Sequence, residues 1–116
     1  MLRRFLRTKI HRATVTQTEL DYVGSLTIDP ALMELAGMLP HEQVDIYNIT
    51  RGTRFTTYLI TGERDKGEMC VNGAAAHLAE VGDKIIIVAY CDLAEHEIEG
   101  HQPVVIVVDD ANRPVA

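Results

Sequence analysis

The sequence predicts a single, mainly β domain, folded as a small closed barrel with one or two short helices. Its 116 residues fit one domain of ordinary size, and a hydrophobic content of 47% is enough for a core. About six short segments have the β-branched or alternating pattern of strands, whereas only one has clear helical spacing. Because strands and helices do not alternate regularly, a closed or nearly closed barrel is favoured over a doubly wound sheet.

Three segments in the first half of the chain predict strands. Residues 9–16 are rich in β-branched types, and alternation places Lys9 and His11 on one face. Residues 26–28 form a short apolar strand. Residues 43–61 predict a hairpin whose second strand points Arg54, Thr56 and Tyr58 one way and Phe55, Thr57 and Leu59 the other.

One helix is predicted directly after residue 28. Asp29 is suited to the N-cap, Pro30 to the first helical position, and Gly37 to a C-terminal stop. The apolar stripe at helical spacing consists of Leu32, Leu35, Ala36 and Leu39. We interpret this helix as structural packing.

The second half of the chain predicts shorter elements. A strand over 68–71 ends in the turn signal Asn72-Gly73, and residues 74–79 can form one or two helical turns. The apolar run 84–90 predicts a strand buried on both faces. Residues 92–101 are polar and predict a helical turn, and residues 104–108 predict a final buried strand.

Charge and composition argue against several functional classes. The net charge of −6 disfavours general affinity for nucleic acid, although the start of the chain is basic, with Arg3, Arg4, Arg7, Lys9 and Arg12. This basic start runs into strand-like alternation without a cleavage signal, so a transit peptide fits poorly. No apolar run is long enough to cross a membrane, and we expect a cytoplasmic protein. Cys70 and Cys91 form no paired motif and are expected to be reduced.

Common catalytic and metal motifs are missing from the sequence. The five histidines show no HExxH or Cys-His spacing, so no metal site is predicted. There is no glycine-rich phosphate loop, and Ser25 lacks the G-x-S-x-G pattern of an α/β-hydrolase.

The dipeptide Gly24-Ser25 is the most unusual local feature. Ser25 is the only serine, against ten threonines, and the pair lies between two strand-like segments. Gly24 has no Cβ, so its carbonyl carbon is open to attack by Ser25 Oγ, which would move an acyl group from nitrogen to oxygen and cut the chain. An ordinary Gly-Ser turn explains the same pair.

Several segments together resemble one family, the pyruvoyl-dependent aspartate 1-decarboxylases. The resemblance covers almost the whole chain, and the combination of Gly24-Ser25 with Asn72-Gly73-Ala74-Ala75-Ala76-His77 is highly specific. The other matching pieces are Lys9-Ile10-His11-Arg12, Tyr22-Val23, Arg54 with Thr57-Tyr58, and Gly62-Glu63-Arg64. Asp65-Lys66 replaces the small residues expected after Gly62-Glu63-Arg64, which affects only the shape of that loop.

The resemblance implies a double-psi β-barrel, a homotetramer and an inactive proenzyme that cleaves itself into residues 1–24 and 25–116. Ser25 would become a covalent pyruvoyl group that forms a Schiff base with the substrate and needs neither pyridoxal phosphate nor a metal. The reaction would convert L-aspartate to β-alanine and CO2 for pantothenate synthesis.

The resemblance also implies a role for each site residue. For self-processing these are Gly24, Ser25, Thr57, Asn72, His11 and Tyr22, with Thr57 holding the oxyanion. Lys9, Arg54, Thr57, Gly73, Ala74 and Ala75 would bind the substrate, whose two carboxylates suit an ammonium and a guanidinium. Tyr58 would donate the proton that replaces CO2.

Strict alternation places Thr57 and Tyr58 on opposite faces of one strand, although both are assigned to one site. A bulge at 56–57 or a site shared between subunits would resolve this conflict, and we favour the shared site. Two alternative functions stay open: a small DNA-binding or regulatory barrel that uses the basic start, and an interaction protein that kept the fold but lost processing. The sequence also leaves open whether a maturation factor assists cleavage.

Overall fold

The computed structural model describes residues 1–115, which form a largely β structure with three short helical segments. The strands are β1 (Leu2–Thr14), β2 (Gln17–Glu19), β3 (Ser25–Ile28), β4 (Gln43–Asn48), β5 (Arg54–Thr61), β6 (Met69–Asn72), β7 (Lys84–Ala94) and β8 (Val104–Val107). The α-helices are α1 (Pro30–Ala36) and α2 (Glu95–Ile98), and a 3-10 helix spans Gly73–Leu78. The predicted mainly β class is confirmed.

The eight strands form one sheet in the order β2-β6-β3-β5-β4-β7-β1-β8. Neighbouring strands are mostly antiparallel, but β1 with β8, β2 with β6 and β3 with β5 are parallel. Within residues 1–115 no ladder joins β2 to β8, so the sheet is open. The closed barrel predicted from the sequence is therefore not confirmed. The two terminal strands of the order have only three and four residues, which leaves little length for a closing ladder.

Helix α1 forms where the capping signals predict it. Asp29 Oδ1 accepts a hydrogen bond from Ala31 N at 2.9 Å, and Gly37 ends the helix in the left-handed conformation with φ 68°. Asp29 also accepts from the backbone of Asp65 and Gly67, each at 3.0 Å, and so ties the loop after β5 to the helix start. Among the described residues, no helix is long and apolar enough to span a membrane.

The core lies between α1 and the inner face of the sheet. It is aliphatic, since the sequence has no Trp and only two Phe. Its largest fully buried side chains include Ile10, Leu26, Leu32, Ile46, Leu59 and Ile87. In β1, β4 and β5 the buried residues of this set alternate with more exposed neighbours, as expected for strands with one face in the core. The short strand β3, which contains Leu26, is buried throughout.

The basic start of the chain is part of β1, which begins at Leu2 rather than at position 9. Its pairing with β7 is interrupted by register shifts between Leu6 and Thr8 and between Ile10 and Ala13. Three of its arginines form ion pairs: Arg3 with Glu95, Arg4 with Asp92 and Arg7 with Glu42. These pairs neutralise much of the positive charge on which the DNA-binding alternative depends.

Two predictions about burial are wrong. Strand β7 continues to Ala94, and Tyr90 is exposed, so this strand is not buried on both faces. In β8, Val104, Val105 and Val107 are all exposed, because this strand lies at the end of the strand order and pairs only with β1 in the sheet. An apolar run shows that a strand can be buried, but not that a partner is present to bury it.

Candidate active site

The Gly24-Ser25 junction lies at the boundary between an exposed segment and a buried strand. Tyr22, Val23 and Gly24 are exposed, whereas Ser25 begins β3 and has no exposed surface. Strand β3 runs antiparallel to β6, and Ser25 pairs directly with Asn72. The sheet therefore brings together two of the predicted self-processing residues that lie 47 positions apart in the sequence.

Two hydrogen bonds fix the Ser25 hydroxyl. Its Oγ donates to the carbonyl oxygen of Val23 at 2.9 Å and accepts from Asn72 Nδ2 at 3.0 Å. The second hydrogen of the Asn72 amide goes to Thr27 Oγ1 at 2.8 Å. Serine is a weak nucleophile unless its surroundings position or activate it, and here the position is set by neighbours that carry no charge.

Cys70 completes this network. Its Sγ donates to Asn72 Oδ1 at 3.1 Å, so the Asn72 amide is held from both ends. Burial raises the pKa of the Cys70 thiol to about 11, with Glu68 and Glu19 adding to the effect, so the thiol keeps the proton that it donates. Sequence reasoning missed Cys70 and Thr27. The signal was spacing, because each lies two positions from a predicted site residue and so shares its strand face.

The 3-10 helix begins immediately after Asn72 and contains the predicted substrate-binding backbone. Gly73 is buried with a φ of +73°, Ala74 is exposed and Ala75 is partly buried. The Gly73 backbone packs directly on the backbone of Gly24. Asn72 and Gly73 therefore contact Ser25 and Gly24 respectively, the two residues that share the peptide bond predicted to be cut.

Strand β5 brings Tyr58, but not Thr57, to the face that carries Ser25. Thr27 pairs with Ile60 in the parallel ladder of β3 and β5, and both line the same surface cleft. Tyr58 lies two positions from Ile60 and so has the same orientation, whereas Thr57 pairs with the buried Val44 on the other face. The register with β4 is continuous through 54–58, so the proposed bulge at 56–57 is absent.

Lys9 and His11 lie in β1, which is separated from β3 by β5, β4 and β7 in the sheet order. Lys9 pairs with Val88, and His11 lies in the irregular stretch between Ile10 and Ala13. His11 Nδ1 is buried without a hydrogen-bond partner among the described residues. Burial, followed by the charges of Lys9 and Arg12, lowers the pKa of His11.

Arg54 lies over the aromatic ring of Tyr47, its partner in the pairing of β4 with β5. Its guanidinium carbon lies 4.3 Å from the centre of the Tyr47 ring, a cation–π contact. The Tyr47 hydroxyl lies 2.7 Å from that of Tyr90, and this hydrogen bond, with burial, raises the pKa of Tyr47 to about 12. Neither Arg54 nor Lys9 forms an ion pair with any residue between 1 and 115, so both charges are available to a ligand.

A surface cleft of about 410 Å³ opens beside Asn72, Thr27 and Tyr22. Three carboxylates line it, those of Glu19, Glu63 and Glu68, and no lysine or arginine does. The charged side chains that one chain presents to this cleft are therefore all negative. In the described part of the chain, no three His, Cys, Asp or Glu side chains cluster in a way suited to a metal ion.

Comparison with known proteins gives one consistent result. The sequence model of a family described as aspartate decarboxylase matches residues 1–115. A protein named aspartate 1-decarboxylase from Caldicellulosiruptor saccharolyticus is 56% identical over 115 residues, which cover 99% of this chain and 90% of the relative. Relatives with the same name from Legionella pneumophila strain Paris and Thermoanaerobacter pseudethanolicus are each 52% identical. They cover 96% and 99% of this chain, and 84% and 98% of their own lengths are matched.

Proposed function

Because the chain belongs to the aspartate decarboxylase family, we propose that it converts L-aspartate to β-alanine and CO2 after cutting itself between Gly24 and Ser25. The observation that carries this proposal is the buried Ser25 hydroxyl, held by Asn72 and Val23 next to the exposed residue Gly24. The product would serve pantothenate synthesis. The cytoplasmic location and a maturation factor stay predictions.

Self-cleavage needs no reagent except water. Ser25 Oγ bonds to the Gly24 carbonyl carbon, the bond from that carbon to Ser25 N breaks, and the hydroxyl proton ends on the nitrogen. The resulting ester loses the Ser25 Cα proton, and its Cβ–Oγ bond breaks to release the Gly24 carboxylate. Addition of water to the remaining unsaturated residue then releases ammonia and leaves a pyruvoyl group.

The surroundings of Ser25 fit such a group. The Asn72 amide, which donates to Ser25 Oγ, can equally donate to a carbonyl oxygen, and Cys70 fixes the direction of that amide. The pyruvoyl carbonyl would bond to the substrate amine and take up the electrons released with CO2. The strand register that puts Tyr58 on the same sheet face supports its proposed role as donor of the proton that replaces CO2.

Arg54 and Lys9 are the cations proposed to bind the two substrate carboxylates. Both lack a carboxylate partner among the described residues, unlike Arg3, Arg4 and Arg7. Tyr47 lies under the guanidinium of Arg54 and leaves its edge N–H groups free for a bidentate contact. We assign backbone contacts with the substrate to Gly73, Ala74 and Ala75, as the family resemblance implies.

We propose that the complete site combines two chains of a homotetramer. Among the described residues, the charged groups that line the cleft beside Asn72 are all carboxylates, and Lys9, His11 and Thr57 lie on other strands or on another face. A dicarboxylate would be repelled from such a cleft unless a second copy supplied cations. The parallel pairs β1–β8 and β3–β5 join distant parts of the chain and support the double-psi topology implied by the resemblance.

The short piece should stay bound after cleavage. Residues 1–24 include β1, which is paired with β7 from Leu2 to Thr14 and with β8 from Thr8 to His11. The exposed stretch from 20 to 24 lies outside the strands and would be free to move once the bond is cut. Lys9 and His11 therefore remain in place for the decarboxylation step.

A mass spectrum of the purified protein tests self-cleavage. We expect two fragments that separate after Gly24, with residues 25–116 lighter by one ammonia than a serine-terminated fragment. Ser25→Ala should give a single intact chain without activity. Intact wild-type protein after long incubation, or cleaved protein that lacks the carbonyl yet releases CO2 from aspartate, would refute the proposal.

Mixing two inactive variants tests the shared site. Ser25→Ala retains the cations, and Arg54→Ala retains the cleaved group, so co-expressed chains should form some sites with both. We expect aspartate decarboxylation to return in the mixed oligomer and to be lost in each variant alone. A mixed oligomer without activity would indicate that Ser25 and Arg54 of each site come from the same chain.

A further inference from the structure

The backbone of Gly73 lies close to the backbone of Gly24 at the predicted cleavage site. A Cβ added to Gly73 would lie 2.6 Å from Gly24 Cα, 2.8 Å from Gly24 N and 3.1 Å from Tyr22 O. All three are backbone atoms, so no side-chain rotation can relieve the overlap. Gly73 also has a φ of +73°, which other residues rarely adopt.

Gly24 itself has no such steric requirement. A Cβ added there meets nothing within 4 Å, and its φ lies outside the left-handed region. The close packing at the junction therefore depends on the absence of a side chain at 73 rather than at 24. The neighbouring residue Asn72 holds Ser25 Oγ at 3.0 Å.

We propose that the end of β6 acts as a template for self-cleavage, in which Asn72 holds the attacking hydroxyl and Gly73 positions the acyl residue Gly24. This role rests on the proposed self-cleavage and is additional to any contact of Gly73 with the substrate. Gly73 forms no bond in the reaction. It is a positioning residue, because its backbone sets where Gly24 lies relative to Ser25 Oγ.

The geometry indicates how strongly cleavage depends on this contact. An alanine at 73 must move Gly24 Cα from 2.6 Å to at least the 3.4 Å of an ordinary contact, a displacement of about 0.8 Å. Ser25 Oγ stays tied to Asn72 and Val23, so the shift changes the approach of the oxygen to the carbonyl carbon. A misplacement of this size slows a well-oriented reaction by roughly a hundredfold.

Gly52 offers a matched control. Its φ is +76°, almost equal to that of Gly73, but an added Cβ there meets nothing within 4 Å. Gly52→Ala and Gly73→Ala therefore introduce the same left-handed strain, and only Gly73→Ala disturbs Gly24. If Gly73→Ala cleaves more slowly than Gly52→Ala, the difference in rate measures the effect of the contact between residues 73 and 24.

The test follows freshly synthesised precursor by mass spectrometry, with thermal melting of each variant as a measure of folding. We expect Gly73→Ala to cleave roughly a hundredfold more slowly than wild type and Gly52→Ala to cleave at nearly the wild-type rate. Equal rates for Gly73→Ala and wild type would overturn the template. Wild type that does not cleave would instead refute the proposed function.

A second measurement needs no substitution at Gly73 and applies even if Gly73→Ala does not fold. In the uncleavable Ser25→Ala precursor, proton NMR should show a strong through-space contact between the α-hydrogens of Gly24 and Gly73. No such contact is expected between Gly24 and Gly52. Absence of the Gly24–Gly73 signal in the folded precursor would overturn the proposal.

Discussion

Replacement of Asn72 by leucine should slow self-cleavage strongly while leaving the protein folded. The Asn72 amide donates to Ser25 Oγ at 3.0 Å and to Thr27 Oγ1 at 2.8 Å, and it accepts from Cys70 Sγ at 3.1 Å. Leucine has a similar volume and can make none of these bonds. The hydroxyl of Ser25 keeps only its bond to Val23 and loses the contact that fixes its direction.

The expected magnitudes follow from the three lost hydrogen bonds. At about 1 kcal/mol each, their loss lowers the free energy of unfolding by roughly 3 kcal/mol, less whatever the buried leucine regains. For a domain of this size, that is a fall in melting temperature of roughly 10 °C. Loss of the contact that orients Ser25 Oγ toward the Gly24 carbonyl carbon should slow cleavage by about a hundredfold.

Thr27→Val provides the matched control, since it removes one partner of the same amide but leaves Asn72 bonded to Ser25. We expect it to be destabilised by about 1 kcal/mol and to cleave within about threefold of wild type. Cleavage is followed in freshly synthesised precursor by mass spectrometry. Stability is measured by thermal melting in the Ser25→Ala background, where the bond to Ser25 is already absent and Asn72→Leu should therefore cost about 2 kcal/mol. If Asn72→Leu folds and cleaves as fast as Thr27→Val, the positioning argument is wrong.

Three further substitutions test other parts of the structure. Tyr47→Leu should raise the KM for aspartate roughly fivefold, because it removes the ring that contacts Arg54. Tyr47→Phe keeps the ring and should change KM less. Equal KM values for the two variants in steady-state kinetics would contradict this. Asp29→Asn should lower the free energy of unfolding in urea by about 2 kcal/mol at about pH 7 and by less at about pH 3. Burial alone would raise the pKa of Asp29, but its backbone hydrogen bonds outweigh burial and lower it. The stability that the carboxylate contributes is therefore lost as pH falls through the folded-state pKa. Below the ordinary His pKa of 6.5, His11→Gln should lose less stability on acidification than wild type. The reason is that the lowered pKa of His11 in the folded protein makes the unfolded chain bind the proton first. Melting temperatures that fall equally with pH in wild type and His11→Gln would count against this.

The parts of the fold predicted correctly from the sequence are those set by local chemistry. Asp29, Pro30 and Gly37 specify the start and end of α1 by capping and backbone angles, which depend only on neighbouring residues. The hairpin of β4 and β5 is also local, and its register follows the predicted alternation. Closure of the sheet depends instead on pairing between distant strands, and no local pattern reports whether β2 and β8 meet.

The same distinction applies to the site. Gly24-Ser25 was noticed in the sequence because the pair is chemically unusual, but its pairing with Asn72 came only from the family resemblance and is present in the structure. Cys70 has no motif of its own and matters only because β6 places it on the Asn72 face. Of the two explanations offered for Thr57 and Tyr58, the regular strand register excludes the bulge at 56–57, and the favoured shared site stays a prediction.

The burial of Ser25 would give the proposed cleavage a second consequence besides formation of the ketone. In the uncut chain Ser25 has no exposed surface, so aspartate could not reach this position whatever chemistry it carried. The exposed residues from Tyr22 to Gly24 are anchored at one end by β2 and at the other by the bond to Ser25. Cutting that bond removes the second anchor, while β1 stays paired with β7 and β8 and keeps Lys9 in position. We therefore expect the same reaction to create the reactive group and to open the path by which the substrate reaches it.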